Sequence, residues 1–187
     1  AAQKGDAELA AAKSNALTKL NSLTDGVKSE YITSDMTAIV NNAKAKVEAA
    51  QTPDECAKAY EEARQSFKSA YLISMRTVFG NRIDSLMPSN MADEAVKKQI
   101  QAVIDTQKSN LQQATNEETM TKCYELAKTN VEKLIATANA NTGLDAAKTN
   151  AIEKLKNSYS NLTDDQKKVL DKYVQAIQSA TSEEQIN

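Results

Sequence analysis

The chain has 187 residues, with 23 Lys and Arg against 25 Asp and Glu, 4 Gly, 2 Pro and neither His nor Trp. So few Gly and Pro leave too few turns for an all-β or doubly wound α/β fold, and the lack of His removes the commonest general base, the Ser–His and Cys–His pairs and the usual zinc sites. A net charge of −2 gives no electrostatic case for nucleic acid, and no run approaches the roughly 18 apolar residues of a membrane span.

In chain order, the first apolar stripe is Leu9, Ala12, Ala16, Leu20 and Leu23, at the spacing of one helix face. A connection over Thr24–Thr33 follows; it carries Tyr31, the residue singled out for contact with a partner. Met36, Ile39, Val40, Ala43, Val47 and Ala50 form the second stripe. Thr52-Pro53-Asp54-Glu55 is a T-x-x-E capping box with Pro at the first helical position. It opens the third stripe, Cys56, Ala59, Tyr60, Ala63, Phe67, Ala70 and Tyr71.

No breaker separates this helix from the next stripe, Leu72, Met75, Phe79, Ile83 and Leu86. A lone Gly80 costs about 1 kcal/mol and does not end a helix, whereas Pro88 does. One helix of about 50 Å is therefore expected to serve two repeats. Ile100, Val103, Ile104, Gln107, Leu111 and Ala114 repeat the second stripe. Thr115-Asn116-Glu117-Glu118 repeats the box, and Met120, Cys123, Tyr124, Ala127, Val131, Leu134 and Ile135 repeat the third stripe.

A break or bend is expected over Ala136–Gly143, where Asn139, Asn141, Thr142 and Gly143 cluster, with Asp145 near the next helix start. A run-on helix is the competing reading. Leu144, Ala147, Ala151, Leu155 and Tyr159 begin a third round. A T-x-x-Q start at Thr163–Gln166 follows, then Gln166, Val169, Leu170, Tyr173, Ile177 and Ala180, then a T-x-x-E box at Thr181–Glu184.

These periods predict an all-α chain of tandem three-helix bundles, spectrin-like and up-down-up, with two complete units and a truncated third. The expected boundaries are repeat 1 over 1–71 and repeat 2 over 72–138, whose first helix continues the last helix of repeat 1. A linker over 139–143 and a two-helix repeat 3 over 144–187 complete the chain. The stripes stop where a further helix is expected, which reads as a fragment of a longer protein. Residues 1–20 lack a signal-peptide pattern, so the chain reads as cytosolic or as a piece of something exported.

No catalytic, cofactor-binding or metal-binding residue is assigned, no cofactor is expected, and the binding residues are unknown. Cys56 and Cys123 fall inside apolar stripes in different repeats and are expected buried and unpaired. Most of the acidic pairs, such as Asp54/Glu55 and Glu117/Glu118, are expected in first helical turns, where they complement the helix dipole. Residues 139–145 share a few features with a calcium loop but lack its leading Asp residues and its bidentate Glu, and read as a linker. Tyr60, Tyr71, Tyr124 and Tyr173 fall on stripes and are expected to pack.

The pattern A-K-x-N-A-[LI]-x-K-L (Ala12–Leu20 and Ala147–Leu155), then L-T-D-x-Q-K-x-x-L (Leu162–Leu170), then V-x-A-x-x-x-A-T-x-E-E (Val174–Glu184) resembles the FIVAR-type three-helix repeats of bacterial surface proteins. The albumin-binding GA modules are a related-looking group. The resemblance implies a non-enzymatic, monomeric, rod-forming segment of a Gram-positive surface protein, extracellular and attached to the cell surface or wall. It implies an adhesin or stalk whose partners are a host extracellular protein or glycan, with no nucleic acid and no membrane span. Its alternatives are a module specific for serum albumin or immunoglobulin and an accessory helical region of a larger surface glycan-active enzyme. Residues Ser34–Lys44 are similar to the GA pattern, but the helix there continues to Thr52, so no albumin site is carried over.

Overall fold

The computed structural model describes residues 2–159 and 162–186. Its described residues form six α-helices, short 3-10 turns and no strand. The helices are α1 (Ala2–Asn21), α2 (Ser34–Ala49), α3 (Pro53–Asp84), α4 (Glu94–Gln113), α5 (Glu117–Asn157) and α6 (Asp164–Ser179). No helix among the described residues is long and apolar enough to cross a membrane. The chain divides into two compact units, residues 1–87 with 103–128 and residues 88–102 with 129–187.

In the first unit, α1, α2 and the first half of α3 pack pairwise around one apolar core. Ala16, Leu20, Met36, Val40, Ala43, Val47, Cys56, Ala59, Ala63 and Phe67 are buried there, as the three stripes predict. Fully burying a Leu, Met or Val side chain contributes about 1.5–3 kcal/mol, so these thin stripes suffice only because three of them meet. Thr33 caps α2 by accepting from the Met36 N–H at 3.3 Å. Thr52 and Glu55 complete the reciprocal capping box of α3, with Pro53 at its start.

The helix α3 runs through Gly80 to Asp84, and turn hydrogen bonds at Leu86 and Met87 lead to Pro88. Its second half buries Met75, Phe79 and Ile83, the positions of the predicted stripe. Gly80 is tolerated because a single Gly costs only about 1 kcal/mol in a helix, and no close approach demands it: an added Cβ would meet only Leu111 Cδ2, at 3.8 Å. In α4, the polar stripe member Gln107 is buried beside Ile104 and Leu111, and its Oε1 accepts from Asn110 Nδ2 at 3.3 Å.

Three expectations are corrected. The break over 136–143 is absent, because α5 is helical from Glu117 to Asn157 and contains both Gly143 and Asp145. Asn and Gly each cost at most about 1 kcal/mol in a helix. Long flanks of good helix formers and the absence of Pro outweigh that sum. The box expected at Thr115–Glu118 starts one residue later: Asn116 Oδ1 accepts from the Thr119 N–H at 2.9 Å. Asn caps a helix as well as Thr does.

The third box does not form: the residue at the cap position, Ser182, makes no side-chain cap hydrogen bond. Ser182 is the residue before the final 3-10 turn, Glu183–Gln185, and Gln185 Oε1 accepts from the Thr181 N–H at 2.7 Å. The first repeat has the same arrangement, in which Glu55 Oε2 accepts from the Gln51 N–H at 2.6 Å. The three starts are thus Thr52, Asn116 and Ser182, each four residues before the first stripe position.

Candidate functional site

Two places in the chain do more than close a core. The first lies in the connection between α1 and α2. Gly26 turns the chain there with φ +77°, a value that favours Gly, and a 3-10 turn over Ser29–Tyr31 follows.

The turn delivers Tyr31 into the protein, fully buried. Its ring meets that of Tyr71 edge-on, with centroids 5.9 Å apart. Its carbonyl oxygen accepts from the buried Ser74 hydroxyl at 2.7 Å, and its own hydroxyl donates to Glu117 Oε1 at 2.8 Å. Tyr31 is therefore not the exposed partner anchor it was singled out to be. It joins the first connection to the middle of α3 and the start of α5.

Glu117 directly follows the cap residue Asn116. It occupies the first position of α5, where a carboxylate complements the helix dipole. Lys28 pairs with the same carboxylate. Lys28, then the Tyr31 hydroxyl, holds the Glu117 carboxyl below its ordinary value. Burial, then Glu117, pushes the Tyr31 phenol well above its ordinary value.

Around this point Arg82 Nη2 donates to Glu30 Oε2 at 2.6 Å, and the Arg76 guanidinium donates to the Ala114 carbonyl at 2.8 Å. Lys108 pairs with Asp84 at 2.7 Å. The three grips on the connection, at Lys28, Glu30 and Tyr31, reach residues assigned to the second expected repeat. The signal that could have found Tyr31 is that it is the lone aromatic residue of the connection.

The second place lies in the second unit, on the facing surfaces of the end of α5 and of α6. Leu155, Leu162, Val169, Leu170 and Tyr173 line an open apolar groove of about 540 Å³ with Tyr159. The expected packing of Tyr173 and Val169 does not occur: they are 61% and 52% exposed, and Tyr159 is 55% exposed. No residue of α6 is buried, although Thr163 and Gln166 complete its capping box as predicted. At the other end, Lys148 Nζ donates to the Gln178 carbonyl at 3.0 Å, and Gly143 lies beside Glu183 Oε1.

The remaining candidates have structural occupations. Cys56 and Cys123 are free and buried, and burial raises the Cys123 thiol above its ordinary value. Glu61 accepts from Arg64 at 2.7 Å and from Gln65 at 3.1 Å. Arg64, then Gln65, draws its carboxyl down to about 2. Glu62 pairs with Lys46, Glu118 with Lys122, Asp164 with Lys167 and Asp165 with Lys168. Comparison with protein-family models, with curated proteins and with solved structures finds no match to this chain.

Proposed function

We propose that the chain is a non-enzymatic run of tandem three-helix repeats from a bacterial cell-surface protein, acting as a stalk or adhesin segment. One observation carries the repeat. The first and third rounds make the same bond between their first and second helices. Lys13 Nζ donates to the Glu48 carbonyl at 2.7 Å, and Lys148 Nζ donates to the Gln178 carbonyl at 3.0 Å. Their second helices start alike, with Thr33 capping Met36 and Thr163 capping Gln166.

Sharing of helices between rounds supports a mechanical reading. α3 carries the third stripe of one round and the first stripe of the next, and α5 does the same. A joint made of continuous backbone hydrogen bonds transmits load without a flexible linker. Tyr31 adds a buried tie across the first joint. The partners proposed for such a segment are a host extracellular protein or glycan.

Surface location is tested on intact cells of the organism that makes the protein. Antibody against this chain is expected to label intact cells, and external protease is expected to remove the label. Labelling only after lysis would overturn the reading.

A further inference from the structure

We propose that the connection between α1 and α2 is a mechanical clasp: tension entering through α1 passes from residues 28–31 into α3 and α5, and α2 stays outside the load path. The inference rests on the stalk reading and says which contacts carry force in the first unit. Three observations carry it.

The first is how the connection is held. Residues 28–31 make four bonds to distant helices. Lys28 pairs with Glu117, Arg82 Nη2 donates to Glu30 Oε2 at 2.6 Å, the Ser74 hydroxyl donates to the Tyr31 carbonyl at 2.7 Å, and the Tyr31 hydroxyl donates to Glu117 Oε1 at 2.8 Å. The partners stand 43 to 89 positions away along the chain. They are fixed in their own helices: Ser74 is buried, Arg82 lies over the ring of buried Phe79 at 5.0 Å, and Glu117 opens α5.

The second is the route from α1 to those bonds. Turn hydrogen bonds from the Asp25 N–H to the Ser22 carbonyl and from the Val27 N–H to the Thr24 carbonyl, both 3.1 Å, follow α1 directly. The Tyr31 N–H donates to the Lys28 carbonyl at 3.0 Å, and Leu23 and Val27 pack against the core. A pull on α1 therefore reaches the clasp with little slack to take up.

The third is the contrast at the other end of α2. The hydrogen bonds of Gln51 and Thr52 reach no farther than four positions. The turn between α2 and α3 is thus tied to its immediate neighbours, whereas the turn before α2 is tied to α3 and α5. A covalent detour between two points that are already bridged carries no tension until the bridge breaks. α2 is that detour, and the bonds at residues 28–31 are the bridge.

The test holds the full chain under constant load in an optical trap and reads the time to the first rupture. One pair of handles sits at the amino terminus and at exposed position 125 of α5, so that α1 is drawn along its axis against the clasp. A second pair sits at the amino terminus and at exposed position 51. It parts α1 from α2 at the end where Lys13 Nζ meets the Glu48 carbonyl, and the clasp is the last contact it reaches. Tyr31→Phe removes one bond to a charged group, and the lifetime between the first pair is expected to fall about tenfold. Adding Arg82→Gln shortens it further. Neither variant changes the lifetime between the second pair.

An unchanged lifetime between the first pair overturns the proposal. So does an equal shortening with both pairs, which would make these bonds a general source of stability with no place in a load path. Either result leaves surface labelling of intact cells as it stands, so the clasp and the stalk reading fail separately.

Discussion

Replacing Tyr31 by Phe removes one bond and keeps the ring. The ring stays against Tyr71, and the Ser74 hydroxyl still reaches the backbone carbonyl of residue 31. What disappears is the donor to Glu117 Oε1, 2.8 Å away. Hydrogen bonds to charged groups contribute about 1.5–3 kcal/mol. The Glu117 side chain is 34% exposed and can recover water, so the lower part of that range applies. The expected loss is about 1–2 kcal/mol in urea unfolding followed by circular dichroism. The same substitution in a Glu117→Ala background is expected to cost little, giving a coupling energy of about 1 kcal/mol in the double-mutant cycle. A loss under about 0.3 kcal/mol, or an equal loss with and without Glu117, would refute the buried tie.

Gly80→Ala is expected to stabilise the chain by about 0.5–1 kcal/mol in the same assay, since the new Cβ meets Leu111 Cδ2 at an ordinary 3.8 Å. Gly143→Ala is expected to stabilise by a similar amount, about 0.5–1 kcal/mol. Its Cβ meets Glu183 Oε1 at 3.6 Å, and destabilisation would argue for the break that α5 lacks. Acid titration provides another check. The Glu117 carboxyl lies below its ordinary 4.5 in the folded chain, so its contribution is whole above pH 4.5 and lost as pH falls through the lower folded value. Unfolding midpoints should therefore drop below pH 4.5, and Glu117→Gln should flatten that limb.

The helices and most of the first core were legible in the sequence because period 3.6 and good helix formers agree over long stretches. Leu20, Met36, Val47 and Cys56 are buried where their stripes place them. The box at Thr52 was legible because Pro53 marks its register. The start of α5 slipped by one residue because Thr115 stands beside Asn116, which caps as well as Thr does; at the last turn Ser182 takes the cap position with no side-chain cap hydrogen bond.

The join over 139–143 was misread because turn-forming residues cost little inside a helix of 41 residues. Tyr31 was misread for a different reason. Its partners, Ser74 and Glu117, lie 43 and 86 positions away, and no local pattern encodes such distant pairing. The open groove follows from the stripes, but its exposure does not: Val169 and Tyr173 sit on a correct apolar face with no third helix against it among the described residues.

Native-state hydrogen exchange of the Tyr31→Ala variant tests most directly whether helices joined through Tyr31 open as one structure. Losing a buried aromatic side chain costs about 3–5 kcal/mol. The amides of Val40 and Val47 in α2 and those of Cys123 and Ala127 in α5 belong to one compact unit. The account predicts that all four lose protection by the same amount. Loss confined to α2, with Cys123 and Ala127 as protected as in the parent chain, would contradict it.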